Sequence, residues 1–483
     1  MSELKKLLLF SHICNKRNIT GAEKLLLFLA TRLSPYFQCV IVVPKEGLLT
    51  RLADRCGIRT IVQNIPLLYG MCLPHEGLAQ QADDLLTGAA FKETSRLLAA
   101  ERPDYVLVNT STHVVPAMAA KSMGIPVIWH ITEVIASNEY TGTSIRNIDQ
   151  YSDWIVCISE SAAAPLSGCS AGKLSILFPS WSWSDFNPHM WPQLREQQRQ
   201  QWKVNSDDRV IGYISSYLIP EKGPDHFIEA ALILAGRYEQ SKFVIIGAEA
   251  NNSFYLKLRQ RITESPYAER FIFIDYVSDI ESAFSAMDVV IVPSMKEEGF
   301  GLTAMEAMIM EKPVIAYASG GLEEILRFTG NQPFLAPVGD YSELSARVSR
   351  FLDEPGLIES VGRSNRIQIE ACFGPEAYEA NLQAMLNHIG GGTSSAVPVA
   401  DPPSLRPVRS SPKTRRRAKK ARLLPSARKR LQSIKSRKLV MNPKRLKQGR
   451  KGSKARVKPG ARSIRSIRRV SPMRRRRKDK KRL

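Results

Sequence analysis

The 483-residue sequence is basic overall, with a formal net charge of +23, and 43% of its residues are hydrophobic. Its length allows two or three domains with ample core. No apolar run approaches the roughly 18 residues that a membrane-spanning helix needs, and the apolar run at residues 7–10 is too short for the core of a signal peptide, so we expect a cytoplasmic protein.

The positive charge is concentrated near the end of the sequence. Residues 401–483 hold 35 of the 69 Lys and Arg residues but only 2 of the 46 Asp and Glu residues, so they carry +33 and the remainder carries −10. From about residue 391, Pro, Ser, Lys and Arg dominate and apolar periodicity is lost, which is typical of disorder. We therefore expect an acidic globular body and a disordered, basic tail at 391–483.

The body alternates short apolar strands with helical patterns. The strands "KKLLLF", "CVIVVP", "DYVLVN" and "PVIWH" are separated by helical stretches such as "GAEKLLLFLATRL", and the rhythm restarts at "RVIGYIS". Strands that are apolar throughout and separated by helices indicate parallel sheets covered on both faces. We predict an α/β fold with two Rossmann-like domains, at 1–200 and 201–374, and a final helix at 375–390.

The stretch "EEGFGLTAME" (297–306) follows the apolar strand "DVVIVP" and opens a helix. Ligands bind at the carboxyl ends of strands in such sheets, and a helix N-terminus there suits a phosphate group. Glu306 lies one turn into the helix among apolar neighbours, where the hydroxyl groups of a bound sugar would satisfy its carboxylate. The residues alone equally allow a solvated glutamate that follows two turn glycines.

The span 288–325, "DVVIVPSMKEEGFGLTAMEAMIMEKPVIAYASGGLEEI", resembles the signature region of GT-B retaining glycosyltransferases, family 4 in particular. The resemblance extends across residues 5–390. It implies two Rossmann-like domains that face each other across a cleft. The N-terminal domain would lie on the acceptor side, with helix 375–390 packing back on it, and the C-terminal domain would bind the nucleotide-sugar.

The resemblance also implies roles for single residues. Glu298 and Glu306 match the family's E-x7-E pair, in which the first glutamate contacts the donor sugar and the second binds the ribose of the nucleotide. Lys222, in "PEKG", matches the lysine that holds the donor diphosphate. The implied catalytic residues are His130, Lys222 and Glu298. The implied nucleotide-sugar-binding residues are Gly21, Ser216, Lys222, Tyr276, Val277, Glu298, Gly299, Phe300, Gly301, Leu302 and Glu306.

Four positions leave alternatives open or depart from the family pattern. His130, in "IPVIWHITE", matches the family's histidine at the reacting centre and would face the cleft, although single histidines more often pack in a core. Glu133 equally fits a helix start. Tyr217 and Ser216 stand where the family has an arginine and a glycine, so one of the two cations that hold the diphosphate is missing.

The expected reaction is transfer of a sugar, with retention, from a nucleotide-diphosphate-sugar to a hydroxyl group of a glycan or lipid-linked acceptor, in envelope polysaccharide or glycolipid assembly. We expect no cofactor, and no metal because the sequence has no D-x-D motif. Two alternatives are a polyanion-binding protein with a degenerate GT-B body and a nucleotide-sugar epimerase.

The basic tail has three interpretations that the sequence does not separate. It could dock on an anionic membrane at the inner face, which would place the enzyme beside lipid-linked acceptors, since each basic residue adds up to about 1 kcal/mol to such binding. It could bind nucleic acid through its charge. It could also remain a solvated extension.

Overall fold

The computed structural model describes residues 4–16, 18–275, 277 and 279–390. Within these residues, seven parallel strands form a first sheet in the order β3-β2-β1-β4-β5-β6-β7. The strands are β1 (Lys6–Phe10), β2 (Gln38–Val43), β3 (Arg59–Val62), β4 (Tyr105–Asn109), β5 (Val127–Ile131), β6 (Trp154–Cys157) and β7 (Leu174–Ile176).

Helices connect these strands and cover both faces of the sheet. They are α1 (Gly21–Leu33), α2 (Leu48–Arg55), α3 (Leu78–Thr87), α4 (Ala89–Glu101), α5 (Val114–Ser122), α6 (Thr141–Gln150) and α7 (Glu160–Ala163). The start of α1 is fixed by a capping box, in which Thr20 and Glu23 each accept a hydrogen bond from the other's backbone N–H. This cap places the first turn of α1 at the carboxyl edge of the sheet.

A second sheet of six parallel strands, again counted within the described residues, repeats the arrangement in the order β10-β9-β8-β11-β12-β13. Its strands are β8 (Arg209–Leu218), β9 (Ser241–Glu249), β10 (Phe271–Ile274), β11 (Val289–Val292), β12 (Val314–Tyr317) and β13 (Leu335–Ala336). The helices that follow the first sheet are α8 (Trp191–Gln201), α9 (Pro224–Ala235), α10 (Asn252–Thr263), α11 (Ile280–Ala286), α12 (Leu302–Ile309), α13 (Gly321–Phe328), α14 (Tyr341–Asp353), α15 (Pro355–Phe373) and α16 (Pro375–Gly390).

Both sheets have the strand order of a Rossmann fold, in which the first strand lies centrally and the order reverses beside it. The central strands are buried because helices cover both faces, which explains why they are apolar throughout, whereas the edge strands β3, β7 and β10 are only partly buried. In each sheet a crevice is expected where the order reverses, beside β1 in the first sheet and beside β8 in the second. The predicted α/β fold with two Rossmann-like halves is confirmed.

Helix α8 belongs by its contacts to the second half. It packs against α11, and Arg195 and Arg199 each donate to the Asp288 carboxylate over 2.6 Å. Asp288, just before β11, also accepts from the backbone N–H of Val210 at 2.7 Å. These bonds satisfy a buried carboxylate and attach α8 to the second half. We predicted that the first domain extends to residue 200, which would have assigned α8 to the first half.

Helix α16 returns to the first half. Tyr378, Leu382, Met385 and Ile389 are buried in one cluster with residues of α1, β1 and β2. The ring of Tyr378 meets that of Phe28 edge to face, with centroids 5.0 Å apart. The last helix of the second half is therefore part of the core of the first.

The predicted tail at 391–483 and Tyr276, one of the predicted nucleotide-sugar-binding residues, lie outside the described residues. In the described part of the chain, each helix is too short or too polar to span a bilayer.

The packing of α16 can be tested by shortening its central side chain. Leu382 is fully buried, so Leu382→Ala should lower the free energy of unfolding by about 2–5 kcal/mol through the cavity it leaves. Leu256→Ala, which shortens a side chain that is 56% exposed, should change it by less than about 0.5 kcal/mol. Urea unfolding measures both. Equal effects of the two variants would contradict this packing.

Candidate functional site

The loop between β11 and α12 is held in place by two glycines of a neighbouring loop. The backbone of Glu298 pairs with Gly320, and the Gly321 N–H donates to the Glu298 carbonyl at 2.8 Å. A Cβ at Gly321 would lie 2.4 Å from Cα of Phe300, so a side chain there would displace the loop. Gly301, with a φ of 102°, then turns the chain into α12. The N-terminus of α12 consequently lies at the carboxyl edge of the second sheet.

Glu298 forms the first of two ion pairs at this edge. Its carboxylate lies 2.6 Å from Nζ of Lys222, which ends a short 3₁₀ helix after β8, and it also accepts from the Ser294 hydroxyl. Gly223 follows with a φ of 63°, and a Cβ there would lie 2.0 Å from the Pro293 carbonyl. The loop that carries Lys222 and Gly223, here called the lysine loop, is thus packed directly against the end of β11.

Glu306 forms the second ion pair, with a residue of the other half. Its Oε1 atom lies 2.9 Å from Nζ of Lys24 in α1. A Cβ at Gly21, the first residue of α1, would lie 3.1 Å from the Leu302 side chain. The starts of α1 and α12 therefore face each other. In the loop–helix unit, residues 294–309, Glu298 and Glu306 each form an ion pair with a lysine.

A cavity of about 700 Å³ lies between the two halves. Its wall combines the first turn of α1, the end of β5, the second half of β8, the lysine loop and the start of α12. The predicted residues that line it are Gly21, Ser216, Lys222, Val277, Glu298, Gly299, Phe300, Gly301, Leu302 and Glu306. One volume thus brings together residues that lie far apart in the sequence.

His130 does not line this cavity, contrary to our expectation that it faces the cleft. It lies within β5 and is buried, with its Nδ1 atom 2.8 Å from Oδ1 of Asn109. The Asn109 amide in turn donates to the Ala22 carbonyl at 3.2 Å. Burial lowers the pKa of His130 to about 4. The structure places His130 in a polar chain that supports the start of α1.

The residues just after β5 face the cavity instead. Thr132 and Glu133 line it. The Glu133 carboxylate accepts from the Ser111 N–H at 2.7 Å and from the Thr132 hydroxyl at 2.9 Å, which fixes its orientation. The residues that directly follow a parallel strand lie at the carboxyl edge of the sheet. Because β5 ends at Ile131, the sequence could have indicated Thr132 and Glu133 as cavity residues.

The departure from the family pattern coincides with a bulge in β8. The pairing of β8 with β9 shifts register between Ile214 and Tyr217, so one residue is extra on β8. Ser215 and Ser216, the two residues between these pairs, both line the cavity. The Tyr217 hydroxyl accepts from the Asn18 amide at 2.6 Å. A tyrosine at this position therefore links the two halves directly.

The two halves approach each other closely at Gly299. A Cβ on this residue would lie 2.2 Å from the Thr132 carbonyl oxygen. Real Cβ atoms essentially never come this close to another atom, so any side chain would push the halves apart. Among the described residues, no group of three or more His, Cys, Asp or Glu side chains is arranged to hold a metal.

Two Rossmann-like halves with a cavity at their facing strand ends define a protein of the GT-B class. Residues 195–368 match the family model "Glycosyl transferases group 1". The resemblance drawn from the loop at 288–325 is thereby confirmed.

Named relatives match over about a third of the chain. The capsular polysaccharide biosynthesis glycosyltransferase CapM of Staphylococcus aureus is 27% identical over 187 residues, which are 38% of this chain and 47% of CapM. The 2-deoxystreptamine glucosyltransferase of Streptomyces kanamyceticus is 30% identical over 168 residues, which are 34% of this chain and 42% of that protein. The matched stretch spans less than half the length of each relative.

Solved structures match across both halves. The Anabaena protein HepE, in complex with UDP and glucose, aligns with a TM-score of 0.65 and 19% identity, covering 79% of this chain and 99% of HepE. A glycosyltransferase from Rickettsia africae aligns with a TM-score of 0.66 and 16% identity, covering 81% of this chain and 100% of that protein. These alignments show the fold of about four fifths of this chain.

The burial of His130 predicts a pH effect on stability. Because its pKa falls from 6.5 to about 4 on folding, the unfolded chain binds a proton between these pH values that the folded chain does not. Stability is therefore full above pH 6.5 and falls as the pH is lowered, by about 1.4 kcal/mol per pH unit for one proton.

His130→Gln should make the free energy of unfolding less steep between pH 6.5 and 5, measured by urea unfolding at a series of pH values. His12 and His113, whose pKa values burial also lowers, should maintain the rest of the slope. His189→Gln, which changes an exposed histidine, is the control. An unchanged slope in His130→Gln would show that His130 is protonated in the folded protein.

Proposed function

We propose that the protein is a retaining glycosyltransferase that moves a sugar from a nucleotide-diphosphate-sugar to a hydroxyl acceptor. The observation that carries this proposal is the loop–helix unit 294–309, which directs a helix N-terminus and two lysine-paired glutamates into one cavity between two Rossmann-like halves. The match of residues 195–368 to the model for glycosyl transferases group 1 supports this proposal. So does the structural similarity to HepE, which was solved in complex with UDP and glucose.

The donor diphosphate fits at the start of α12. The free backbone N–H groups and the positive dipole end of a helix favour a phosphate there. Lys222 adds a full charge, and Glu298 and the packing of Gly223 hold it in position. Glu306, one turn further along the helix, is placed to accept hydrogen bonds from the ribose hydroxyls. Its charge is then shared between the ribose and Lys24.

In the proposed reaction, the bond between the anomeric carbon and the diphosphate oxygen breaks, and the electron pair stays on the diphosphate. The acceptor oxygen bonds to the same face of the anomeric carbon, and its proton passes to a diphosphate oxygen. Lys222 and the helix N-terminus stabilise the charge that develops on the leaving group. We assign no step to His130, because its imidazole is buried away from the cavity.

Lys222 and the N-terminus of α12 supply the positive charge that the diphosphate needs. We infer that transfer proceeds without a metal. The acceptor would enter from the first half, beside Thr132 and Glu133. Two relatives are a capsular polysaccharide glycosyltransferase and a lipopolysaccharide core mannosyltransferase, and we propose a surface polysaccharide or glycolipid as the product.

Nucleotide-sugar turnover tests this proposal. The full chain is mixed with UDP-, GDP- and ADP-sugars, and release of the nucleoside diphosphate is measured together with thermal stabilisation. We expect at least one nucleotide to stabilise the protein. Glu306→Gln should lower turnover by about 10- to 100-fold, because it weakens the hydrogen bonds that a charged carboxylate makes with the ribose. The variant should remain folded.

Glu323→Gln, an exposed glutamate in the first turn of α13, is the matched control and should retain full turnover. If the wild-type protein neither binds nor turns over any of these donors, the proposed function is wrong. If Glu306→Gln is as active as Glu323→Gln, the ribose is bound elsewhere. The anomeric configuration of the product, read by NMR, tests retention separately.

A further inference from the structure

The cavity contains lysines from both halves. Lys222 comes from the second half and is paired with Glu298, whereas Lys24 comes from the first half and is paired with Glu306. A donor diphosphate brings roughly two negative charges into this site, and an anion that leaves water needs compensating cations. One lysine beside the diphosphate leaves part of that charge without a partner.

The orientation of α1 directs Lys24 toward α12. Residues three apart lie on the same face of a helix, so Lys24 shares a face with Gly21. Gly21 lies against Leu302, the first residue of α12, and both Lys24 and Glu306 line the cavity. The contact of Nζ with Glu306 thus follows from how the two helices meet.

Lys24 can reach the diphosphate from its present position. Glu306 lies four residues into α12, about 6 Å along the axis from the start of the helix. The Lys24 side chain is 41% exposed, and its four-carbon stem can rotate over that distance. When ribose hydroxyls bind Glu306, they supply the carboxylate with new partners, and the ammonium group can turn toward the phosphates.

We propose that Lys24 is a nucleotide-binding residue, the cation through which the first half holds the donor diphosphate. This inference rests on the proposed function and deepens it. Diphosphate binding then requires both halves, because Lys222 and Lys24 approach the same anion from opposite sides of the cavity. Nucleotide binding is consequently coupled to the closed arrangement of the two halves.

The experiment compares a nucleoside diphosphate with its nucleoside. Binding of UDP, GDP and ADP and of their nucleosides uridine, guanosine and adenosine to the full chain is measured by isothermal titration calorimetry or, for weak ligands, by NMR. Lys24→Met should weaken binding of the preferred diphosphate by about 10- to 100-fold, as expected for a charge-assisted hydrogen bond, and change nucleoside binding by less than about 3-fold.

Three further variants sharpen the test. Lys92→Met changes an exposed lysine of α4 in the same half and should bind the diphosphate like the wild type. Lys24→Arg keeps the charge and should retain most of the affinity. Tyr217→Arg in the Lys24→Met background should restore part of it, because position 217 also lines the cavity and reaches the first half at Asn18.

Each other outcome contradicts the proposal. If Lys24→Met binds the diphosphate equally well or more tightly, Lys24 only latches Glu306 in the empty site. If nucleoside and diphosphate lose affinity equally, the residue shapes the cavity without holding phosphate. Lys296, in the loop after β11, also lines the cavity, so Lys296→Met is measured beside Lys24→Met. If Lys296→Met is the variant that selectively loses diphosphate binding, the second cation is Lys296. If the wild type binds none of these nucleotides or nucleosides, the proposed function itself fails. This result is distinct from the outcomes above, in which the wild type binds a nucleotide.

Discussion

The contact between Gly299 and the Thr132 carbonyl is the constraint on which the rest of the site depends. The absence of a side chain at Gly299 lets the carboxyl edges of the two sheets meet, since a Cβ would lie 2.2 Å from that oxygen. The same approach brings Lys24 within 2.9 Å of Glu306. It also allows the hydrogen bond between Asn18 and Tyr217. Each half alone has a Rossmann-like sheet with an open edge, and the cavity exists only where the two edges face each other.

The fold could be predicted from the sequence because its signals are local. Strands such as Val289–Val292 are continuous apolar runs, and helices such as α16 repeat apolar residues at helical spacing. The division between the halves was less accessible. Helix α8 has few apolar residues, and it is Arg195 and Arg199, bound to a carboxylate almost a hundred residues later, that bring it to the second half. A long-range ion pair of this kind leaves no periodic signal.

The same distinction applies to the site. Glu298, Gly301 and Glu306 belong to one loop and the helix that follows it, so their common position at a strand end could be predicted from a short stretch of sequence. The pair of Lys24 with Glu306 joins residues that are 282 positions apart, and no local pattern indicates it. The expectation for His130 was wrong because it assumed that the last residues of β5 already reach the edge. The strand continues to Ile131, and the next residues face the cavity.

Nucleotide binding by Gly299→Ala tests most directly whether the site is built by this approach of the two halves. Thermal stabilisation by whichever of UDP, GDP or ADP stabilises the wild type is compared with that of Gly168→Ala, where an added Cβ meets open space. The Gly299→Ala protein should remain folded but lose at least about 10-fold in nucleotide affinity, because a shift near 1 Å disrupts a preorganised site. Gly168→Ala should bind like the wild type. Equal stabilisation of the two variants would show that the nucleotide is held by one half alone and would contradict the account.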